Sequence, residues 1–296
     1  MTSDVLTTPT SVRAVRVRSW AWLGLAPFAV YLALFLALPT ILAISTGFLD
    51  GDGAFTWANI TALADPVIVT AFANTTWLSL LTAAIGAVVG ALVCYAALGL
   101  PPTGAVRSTL DAATGVLAQF GGVMLAFVFI ATLGVQGVVT VLLRDGLGID
   151  IQPGAWLYSL PGLILPYVYF QVPLMVITFL PALSALKPQW TEANLVLGGT
   201  RASFWMRVGL PVLAPSFLAS FLLLFANAFS SYATAAALAS QGSQIVPLQI
   251  RAALTSETVL GRENLAGALA LGMIVVVGLV MWLYTAIRSR AARWQS

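Results

Sequence analysis

Three residue types that build many enzyme sites are scarce in this 296-residue chain. It has no histidine, one cysteine (Cys94) and one lysine (Lys187). A single cysteine excludes a disulfide framework, and without histidine there is no His/Cys metal-ligand cluster. The phosphate-binding pattern that ends in Gly-Lys-Ser/Thr is absent, because Lys187 is followed by Pro188. We therefore expect no catalytic residue, no metal site and no cofactor bound by the chain itself.

Charge is also scarce. Charged residues make up 8% of the chain, apolar residues 60%, and the mean hydropathy is +0.97. A soluble domain has about 25% charged residues, so this composition predicts a polytopic membrane protein. The net charge of +3 does not indicate nucleic-acid binding, because the basic residues cluster beside apolar runs, as topology signals do. A proton-coupled carrier usually needs an intramembrane carboxylate or imidazole, and the apolar cores offer none.

Six apolar runs predict the fold class: an all-α polytopic membrane protein with about six transmembrane helices. The first run begins near Trp20 and is too long for a signal-peptide core, so we expect it to be retained. We expect a tail at 1–19, a first helix and outer loop at 20–73, a five-helix core at 74–288 and a second tail at 289–296. The predicted spans are 23–48, 75–98, 112–133, 157–183, 210–238 and 265–287.

The basic residues orient these spans. If the amino terminus is inside, ten of the thirteen basic residues lie on the inner side, and only Arg144, Arg251 and Arg262 lie outside. This bias predicts that both termini are cytoplasmic.

The segment between the fourth and fifth predicted spans differs from every other loop. Residues 192–211, here called the elbow, mix charge, small residues and aromatics. We expect two short helices separated by Gly198-Gly199, which permit left-handed or close-approach geometry. Thr191 can be the N-cap, which would place Glu192 in the first turn. The second helix is expected over 202–207, ending near Gly209, with Pro211 opening the fifth span.

The elbow resembles the cytoplasmic signature of permease subunits in binding-protein-dependent ABC importers of the type I (MetI-like) fold. That signature is Glu-Ala-Ala, three residues, Gly, nine residues, Ile, one residue, Leu-Pro. Here it is Glu192-Ala193-Asn194, Gly198, Val208 and Leu210-Pro211, so the chain departs from it at Asn194 and Val208. The resemblance covers about residues 70–290, and it implies that the chain lies in a bacterial cytoplasmic membrane.

The resemblance implies that the elbow is a coupling helix that docks on a separate cytoplasmic ATPase subunit, which carries ATP and Mg. The other implied partners are a second permease subunit, identical or related, and an extracytoplasmic binding protein on outer loops 49–73 and 239–264. Trp190, Phe204 and Trp205 are expected to fill a groove on the ATPase; alternatively they anchor an amphipathic helix at the membrane interface. The implied coupling residues are Glu192, Ala193, Asn194, Gly198, Gly199, Arg201, Arg207, Leu210 and Pro211.

Polar residues inside the spans are candidates for a solute pathway. In the fifth predicted span, Asn227, Ser230, Ser231 and Thr234 follow i, i+3, i+4, i+7 spacing, and Tyr232 lies among them. Gln171 and Gln119 are the candidates in the fourth and third spans. The alternative for all of them is hydrogen bonding between helices, worth about 0.6 kcal/mol per contact.

The solute is predicted from resemblance alone. The run from Phe225 to Ala235 and the later Ile245-Val-Pro-Leu resemble the spermidine/putrescine permease branch. Its relatives also carry iron, sulfate, thiamine or phosphonates, and a sugar is a further alternative. A polyamine is the first expectation, although no acidic group in the membrane core assists it. The competing classes are an ATP-independent channel or carrier, and a membrane scaffold or receptor.

Overall fold

The structure, a computed structural model, describes residues 21–101, 103–151, 153–239, 245–255 and 263–292. Within these ranges the regular structure is helical, apart from an isolated β-bridge between Leu49 and Phe55. Six stretches of the described chain are long and apolar enough to cross a membrane. The predicted fold class, an all-α polytopic membrane protein with six transmembrane helices, is confirmed.

The helices follow one another in this order: α1 (Ala21–Leu32), α2 (Leu38–Thr46), α3 (Ala58–Thr61), α4 (Pro66–Leu98), α5 (Ala105–Gln119), α6 (Gly122–Leu133), α7 (Val138–Leu147), α8 (Ile164–Ser184), α9 (Pro188–Val196), α10 (Arg201–Phe204), α11 (Leu210–Phe229), α12 (Ala233–Leu238), α13 (Val246–Thr255) and α14 (Glu263–Ala292). Two π-helical turns, Ala33–Ala37 and Trp205–Gly209, join α1 to α2 and α10 to α11. The membrane-length stretches are span 1 (Leu25–Thr46), span 2 (Pro66–Leu98), span 3 (Gly122–Leu147), span 4 (Pro161–Ser184), span 5 (Arg201–Phe229) and span 6 (Glu263–Ala286).

Span 2 begins at Pro66 rather than at the predicted residue 75. The Asp65 carboxylate accepts a hydrogen bond from the Val67 amide at 2.8 Å, and Pro66 occupies the first helical position. A capping Asp followed by Pro is a strong helix start. The helix therefore begins within the segment that was predicted to be an outer loop.

The predicted third span, 112–133, is wrong at both ends, because a break divides it. α5 ends at Gln119 and α6 starts at Gly122, whose φ is +69°. Glycine adopts this left-handed backbone without a steric penalty, so the Gly121-Gly122 pair ends one helix and starts another. The apolar stretch of membrane length runs instead through α6 and α7.

The predicted fifth span, 210–238, is also wrong at both ends. The continuous helical path starts at Arg201 and ends at Phe229, and α12 is a separate short helix. The predicted loop 239–264 contains α13, while its residues 240–244 and 256–262 lie outside the described residues. Spans 1, 4 and 6 lie within a few residues of their predicted positions. The predicted tail at 1–19 and the end of the chain from residue 293 are outside the described residues.

The core of the bundle is formed where α4, α8 and α11 meet. α4 and α8 run parallel, because Gly86 lies against Gln171 and Gly90 lies against Met175 one turn further along. A Cβ atom on Gly90 would lie 2.5 Å from the Met175 Cβ. Small residues therefore allow close helix approach here, as the glycines of the second span predicted. Leu224 of α11 completes this fully buried contact.

Span 1 is attached to the rest of the bundle by a second glycine contact. A Cβ atom on Gly47 would lie 2.6 Å from the Ala268 backbone nitrogen, and Gly267 meets Thr46 and Ala43 with similarly little space. The remainder of span 1 is exposed, and no residue of its most apolar window is buried. The chain therefore has a packed five-span body with one peripheral span.

Candidate functional site

The first elbow helix starts earlier than predicted. α9 begins at Pro188, and Lys187 is its N-cap with extended backbone angles of φ −77° and ψ 131°. A residue before proline is forced out of the helical region, and proline fits the first helical position. The predictions that Thr191 is the N-cap and that Glu192 lies in the first turn are therefore wrong. Glu192 lies in the second turn, where its side chain is exposed.

The turn after α9 is a Schellman motif centred on the two predicted glycines. The Gly199 amide donates to the Asn194 carbonyl at 2.8 Å, and the Gly198 amide donates to the Leu195 carbonyl at 3.0 Å. Gly198 has φ +79°, the left-handed conformation that the C′ position of this motif requires. A Cβ atom on Gly198 would meet nothing within 4 Å, so its backbone angle, rather than lack of space, favours glycine.

Asn194, one of the departures from the family signature, fastens the two halves of the elbow together. Its amide nitrogen donates to the Thr200 carbonyl at 3.0 Å, and its amide oxygen accepts from the Ser203 hydroxyl at 3.1 Å. Thr200 in turn caps α10 by accepting from the Ser203 amide at 3.2 Å. Gly199 leaves room for this side chain, because a Cβ there would lie 2.5 to 2.7 Å from the Asn194 amide group. Gly199 thus provides the predicted close approach.

The second elbow helix does not end near Gly209 as predicted. It passes through the π turn Trp205–Gly209 directly into α11. The Leu210 amide donates to the Trp205 carbonyl, five residues back. Pro211 has no amide hydrogen to continue the normal ladder, and the wider π turn accommodates that loss. The elbow is therefore continuous with span 5, and Leu210 and Pro211 lie at this junction.

The apolar residues of the elbow divide into an inner and an outer group, and the division differs from the prediction. Phe204 is 4% exposed, and Trp205 packs edge-to-face on Tyr95 with ring centroids 5.5 Å apart, so both attach the elbow to the bundle. The most exposed apolar side chains are instead Val196 at 87% and Leu197 at 86%. The expectation of a partner's groove is wrong for the buried Phe204, whereas for the exposed Trp190 and the half-buried Trp205 it stays a prediction.

The charged residues of the elbow stay free for a partner. Glu192, Arg201 and Arg207 are all exposed. The two ion pairs in the described part of the chain involve other residues. The exposed surface of the elbow therefore offers two apolar side chains, Val196 and Leu197, and charged side chains of both signs. Ala193 is also exposed on α9.

The second candidate region lies where two helix breaks meet. α5 and α6 are separated at Phe120-Gly121, and α11 and α12 are separated at residues 230–232. The Thr234 hydroxyl donates to the Gly122 carbonyl at 3.2 Å, joining the two breaks. The buried Tyr167 hydroxyl donates to the Ser231 carbonyl at 2.8 Å. Both bonds satisfy carbonyl groups at positions where the helices are interrupted.

The predicted pathway residues separate into exposed and buried sets. Asn227, Ser230 and Tyr232 are exposed beside the second break, and Ser231 is half-buried there. Gln119 is exposed at the end of α5, three residues before Gly122, and so lies beside the first break. Because the helix ends at Phe229, the expected single helical face that includes Thr234 does not exist.

Gln171 and Thr234 are fully buried and make contacts between helices. The Gln171 amide lies 2.8 Å from the Thr82 hydroxyl. In the orientation that satisfies both polar atoms of this amide, its nitrogen donates to the Leu224 carbonyl at 3.3 Å. These contacts match the alternative of interhelical hydrogen bonding, and a pathway role for the two residues stays a prediction.

The described residues contain no group of three or more Cys, Asp or Glu side chains that could hold a metal ion. Cys94 is buried, with its thiol 3.9 Å from the Val176 carbonyl.

No family model matches the chain. It is similar to a protein named "Probable sulfate transport system permease protein cysT" from Anthoceros angustus, with 27% identity over 172 residues. The match covers 57% of this chain and 56% of the relative, so the chain spans about half the length of the curated relative that it matches.

Solved structures resemble the chain over more of its length. A chain of a bacterial ABC transporter involved in the import of the acidic polysaccharide alginate gives a TM-score of 0.71 at 17% identity, covering 92% of this chain and 94% of that chain. A chain of a bacterial alginate ABC transporter in complex with an alginate pentasaccharide-bound periplasmic protein gives a TM-score of 0.72 at 18% identity. The match covers 91% of this chain and 93% of that chain. A chain of the MetNI methionine ABC transporter gives a TM-score of 0.56 at 14% identity, covering 76% of this chain and 96% of that chain. At these identities the likeness establishes the fold that the chain shares with them.

Proposed function

We propose that this chain is the permease subunit of an ATP-driven ABC importer, a non-catalytic multi-pass protein of a bacterial cytoplasmic membrane. The elbow is the observation that carries the proposal. Its signature residues form a preorganised turn between spans 4 and 5, within a fold shared with importer chains over 92% of the length. The similarity to a protein named as a sulfate permease supports the same class.

The exposed surface of the elbow is suited to docking on an ATPase subunit. Val196 and Leu197 project almost completely into solvent from a turn fixed by its own hydrogen bonds. Covering each of them in an apolar groove would contribute about 1.5–3 kcal/mol. Glu192, Arg201 and Arg207 would form the charged rim and set orientation. ATP and Mg would be held by the ATPase, and both ends of this chain would be cytoplasmic.

The continuity of the elbow with span 5 gives coupling a mechanical route. Because α10 enters α11 without a loop, a movement of the docked elbow moves span 5 and the break at its far end. ATP-driven closure of two ATPases would draw two elbows together. Each nucleotide state would then favour a different arrangement of the same helices, which is alternating access.

A second permease subunit would complete the pathway. Asn227, Ser230 and Tyr232 lie exposed on the surface of this single chain, where a second copy or a related chain could enclose them. An extracytoplasmic binding protein would deliver the solute to the outer loops. Lipid would cover the remaining apolar surface, and no nucleic acid is involved.

For the solute, we place an oxygen-rich anion or neutral molecule ahead of a polyamine. The described acidic residues are Asp50, Asp52, Asp65, Asp111, Asp145, Asp150, Glu192 and Glu263, and none lies among the exposed pathway candidates. A polycation would have no opposite charge there to replace its hydration. The relative named as a sulfate permease makes sulfate the first solute to test. A polyamine, the expectation from the sequence, is the alternative.

Uptake by membrane vesicles tests the proposal. Right-side-out vesicles that contain the chain and its binding protein should accumulate labelled solute only when they are energised with ATP. Gly198→Asp places a charge at the Schellman turn and should abolish this uptake while leaving membrane insertion intact. Normal uptake by the variant would contradict the coupling assignment, and uptake without ATP would favour a channel or carrier. An elbow that binds a partner without any solute flux would favour a scaffold.

A further inference from the structure

A groove lies between spans 4, 5 and 6, in the half of the bundle nearer the elbow. Its volume is about 330 Å³, at the lower end of the range typical of small-molecule sites, roughly 300–1,000 Å³. It contains no charged side chain. Its main lining residues are Thr178, Pro181, Pro215, Ser216, Ser220 and Tyr284.

The two serine hydroxyls at the groove differ from most hydroxyls of the spans, although those of Ser79 and Thr140 are also unpaired in the described residues. A serine or threonine within a helix commonly donates to the carbonyl four residues back, as Thr178 does to Leu174 and Ser230 does to Ala226. Ser216 and Ser220 make no such bond, and neither has another hydrogen-bond partner in the described part of the chain. Ser220 is nevertheless only 4% exposed. The Ser220 hydroxyl is not among the enclosed unpaired polar atoms of the described residues, so it opens onto the groove that Ser220 lines, where water or a solute can pair with it.

Two prolines line the groove and leave unpaired backbone acceptors in the helices that form it. Pro181 in α8 and Pro215 in α11 have no amide hydrogen, so the carbonyls of Ile177 and Pro211 lack their usual helical donors. At membrane depth such groups are tolerated where they are buried in protein or line a water-filled cavity. Lipid chains could satisfy neither the carbonyls nor the serines. The groove is therefore suited to water and polar solutes.

The groove also lies on the same side of α11 as the predicted pathway. Ser220 is seven residues before Asn227, and Ser216 is four residues before Ser220, so these three positions share one helix face. In α8, Thr178 is similarly seven residues after Gln171. The polar positions Ser216, Ser220 and Asn227 therefore follow one face of α11 from the elbow side toward the break at residues 230–232.

We propose that this groove is the inward half of the solute pathway and that it takes a solute rich in oxygen acceptors, either an oxyanion or a neutral molecule, through the hydroxyls of Ser216 and Ser220. This proposal rests on the permease function proposed above. Hydroxyl groups can donate to sulfate-like or carbonyl oxygens, and the groove has no carboxylate to attract a cation.

Thiol labelling tests the groove without requiring transport or an ATPase. In a Cys94→Ala background of the full chain in its membranes, Ser216→Cys and Ser220→Cys would each be treated with a negatively charged sulfonate methanethiosulfonate or a positively charged trimethylammonium methanethiosulfonate. Leu218→Cys is the matched control, because Leu218 is exposed on the opposite side of α11. A thiol reacts as the thiolate, which forms in water and not in lipid.

Both groove cysteines should react at least about tenfold faster than Leu218→Cys, and the anionic reagent should react at least as fast as the cationic one. Excess sulfate should slow the reaction if the bound solute is an oxyanion, and its lack of effect would select the neutral class. Labelling no faster than at Leu218→Cys in both variants would show that the groove is not aqueous. A clear preference for the cationic reagent would overturn the assigned solute class. Neither result depends on whether an ATPase binds the elbow, so the two proposals fail separately.

Discussion

Removing the Asn194 side chain should loosen the elbow without unfolding the bundle. Asn194→Ala removes two hydrogen bonds, to the Thr200 carbonyl and from the Ser203 hydroxyl. A net contribution of about 0.5–1.5 kcal/mol for each bond gives about 1–3 kcal/mol in total. Because Asn194 is half-buried, water competes with these bonds, and we expect the lower part of this range.

Hydrogen exchange measures this loosening directly. A loss of about 1–2 kcal/mol should accelerate exchange of the Gly199 and Ser203 amides about 5- to 30-fold, while the amides of α4 and α8 stay protected. Asn59→Ala is a matched control, because it removes a similar hydrogen bond to the Leu49 carbonyl outside the elbow. Unchanged exchange in Asn194→Ala would refute the conclusion that this residue holds the elbow together.

A second substitution tests whether Gly199 and Asn194 interact. In the wild type, Gly199→Ala places a Cβ 2.5 to 2.7 Å from the Asn194 amide and should cost about 1–3 kcal/mol, as overpacking does. In Asn194→Ala that obstacle is gone, so Gly199→Ala should cost much less. Additive effects of the two substitutions would show that the residues do not interact.

Three other substitutions separate the surfaces of the molecule. Leu197→Ser should weaken retention of the ATPase about 10- to 100-fold, which corresponds to the burial of one Leu side chain. Leu147→Ser, at another exposed residue on α7, should not weaken it. Equal losses in the two variants would show that the elbow is not the docking surface. Tyr167→Phe leaves the Ser231 carbonyl unpaired, which should cost about 1–3 kcal/mol of stability and lower the melting temperature by several degrees. Tyr169→Phe should change the melting temperature little, because the Tyr169 hydroxyl makes no hydrogen bond in the described residues. Gly267→Ala should displace span 1 and lower thermal stability, whereas Gly278→Ala, which has open space around it, should be neutral; the opposite order would refute the glycine contact.

The sequence was sufficient for the number of spans and for the position of the elbow. Both follow from composition: apolar runs of membrane length are unambiguous, and the fixed spacing from Glu192 to Pro211 occurs within the connection between spans that mixes charge, small residues and aromatics. The left-handed Gly198 followed from the same reasoning, since few other residues end a helix in that conformation.

Helix ends and side-chain directions were harder to predict, for physical reasons. Hydropathy does not register a break made by two glycines inside an apolar run, so the interruption at Gly121-Gly122 was missed. The start at Pro188 was available from local rules, because proline favours the first helical position. The π turn before Pro211 shifts the helix phase, so the sequence could not show that Phe204 and Trp205 face the bundle.

The role of Asn194 could not be predicted because it depends on distances across the turn. From the motif alone, Asn194 was a mild departure from alanine. Only the folded elbow brings its amide to Thr200 and Ser203 and shows why Gly199 must lack a side chain.

The most direct test of the account is to purify the tagged chain from its native membranes in mild detergent and identify the proteins that accompany it by mass spectrometry. Wild type and Gly198→Asp would be compared side by side at equal expression. The account predicts that an ABC-type ATPase subunit accompanies the wild type and is lost from the variant. If no ATPase accompanies the wild type under any mild condition, the elbow is not a coupling helix and the importer assignment is wrong.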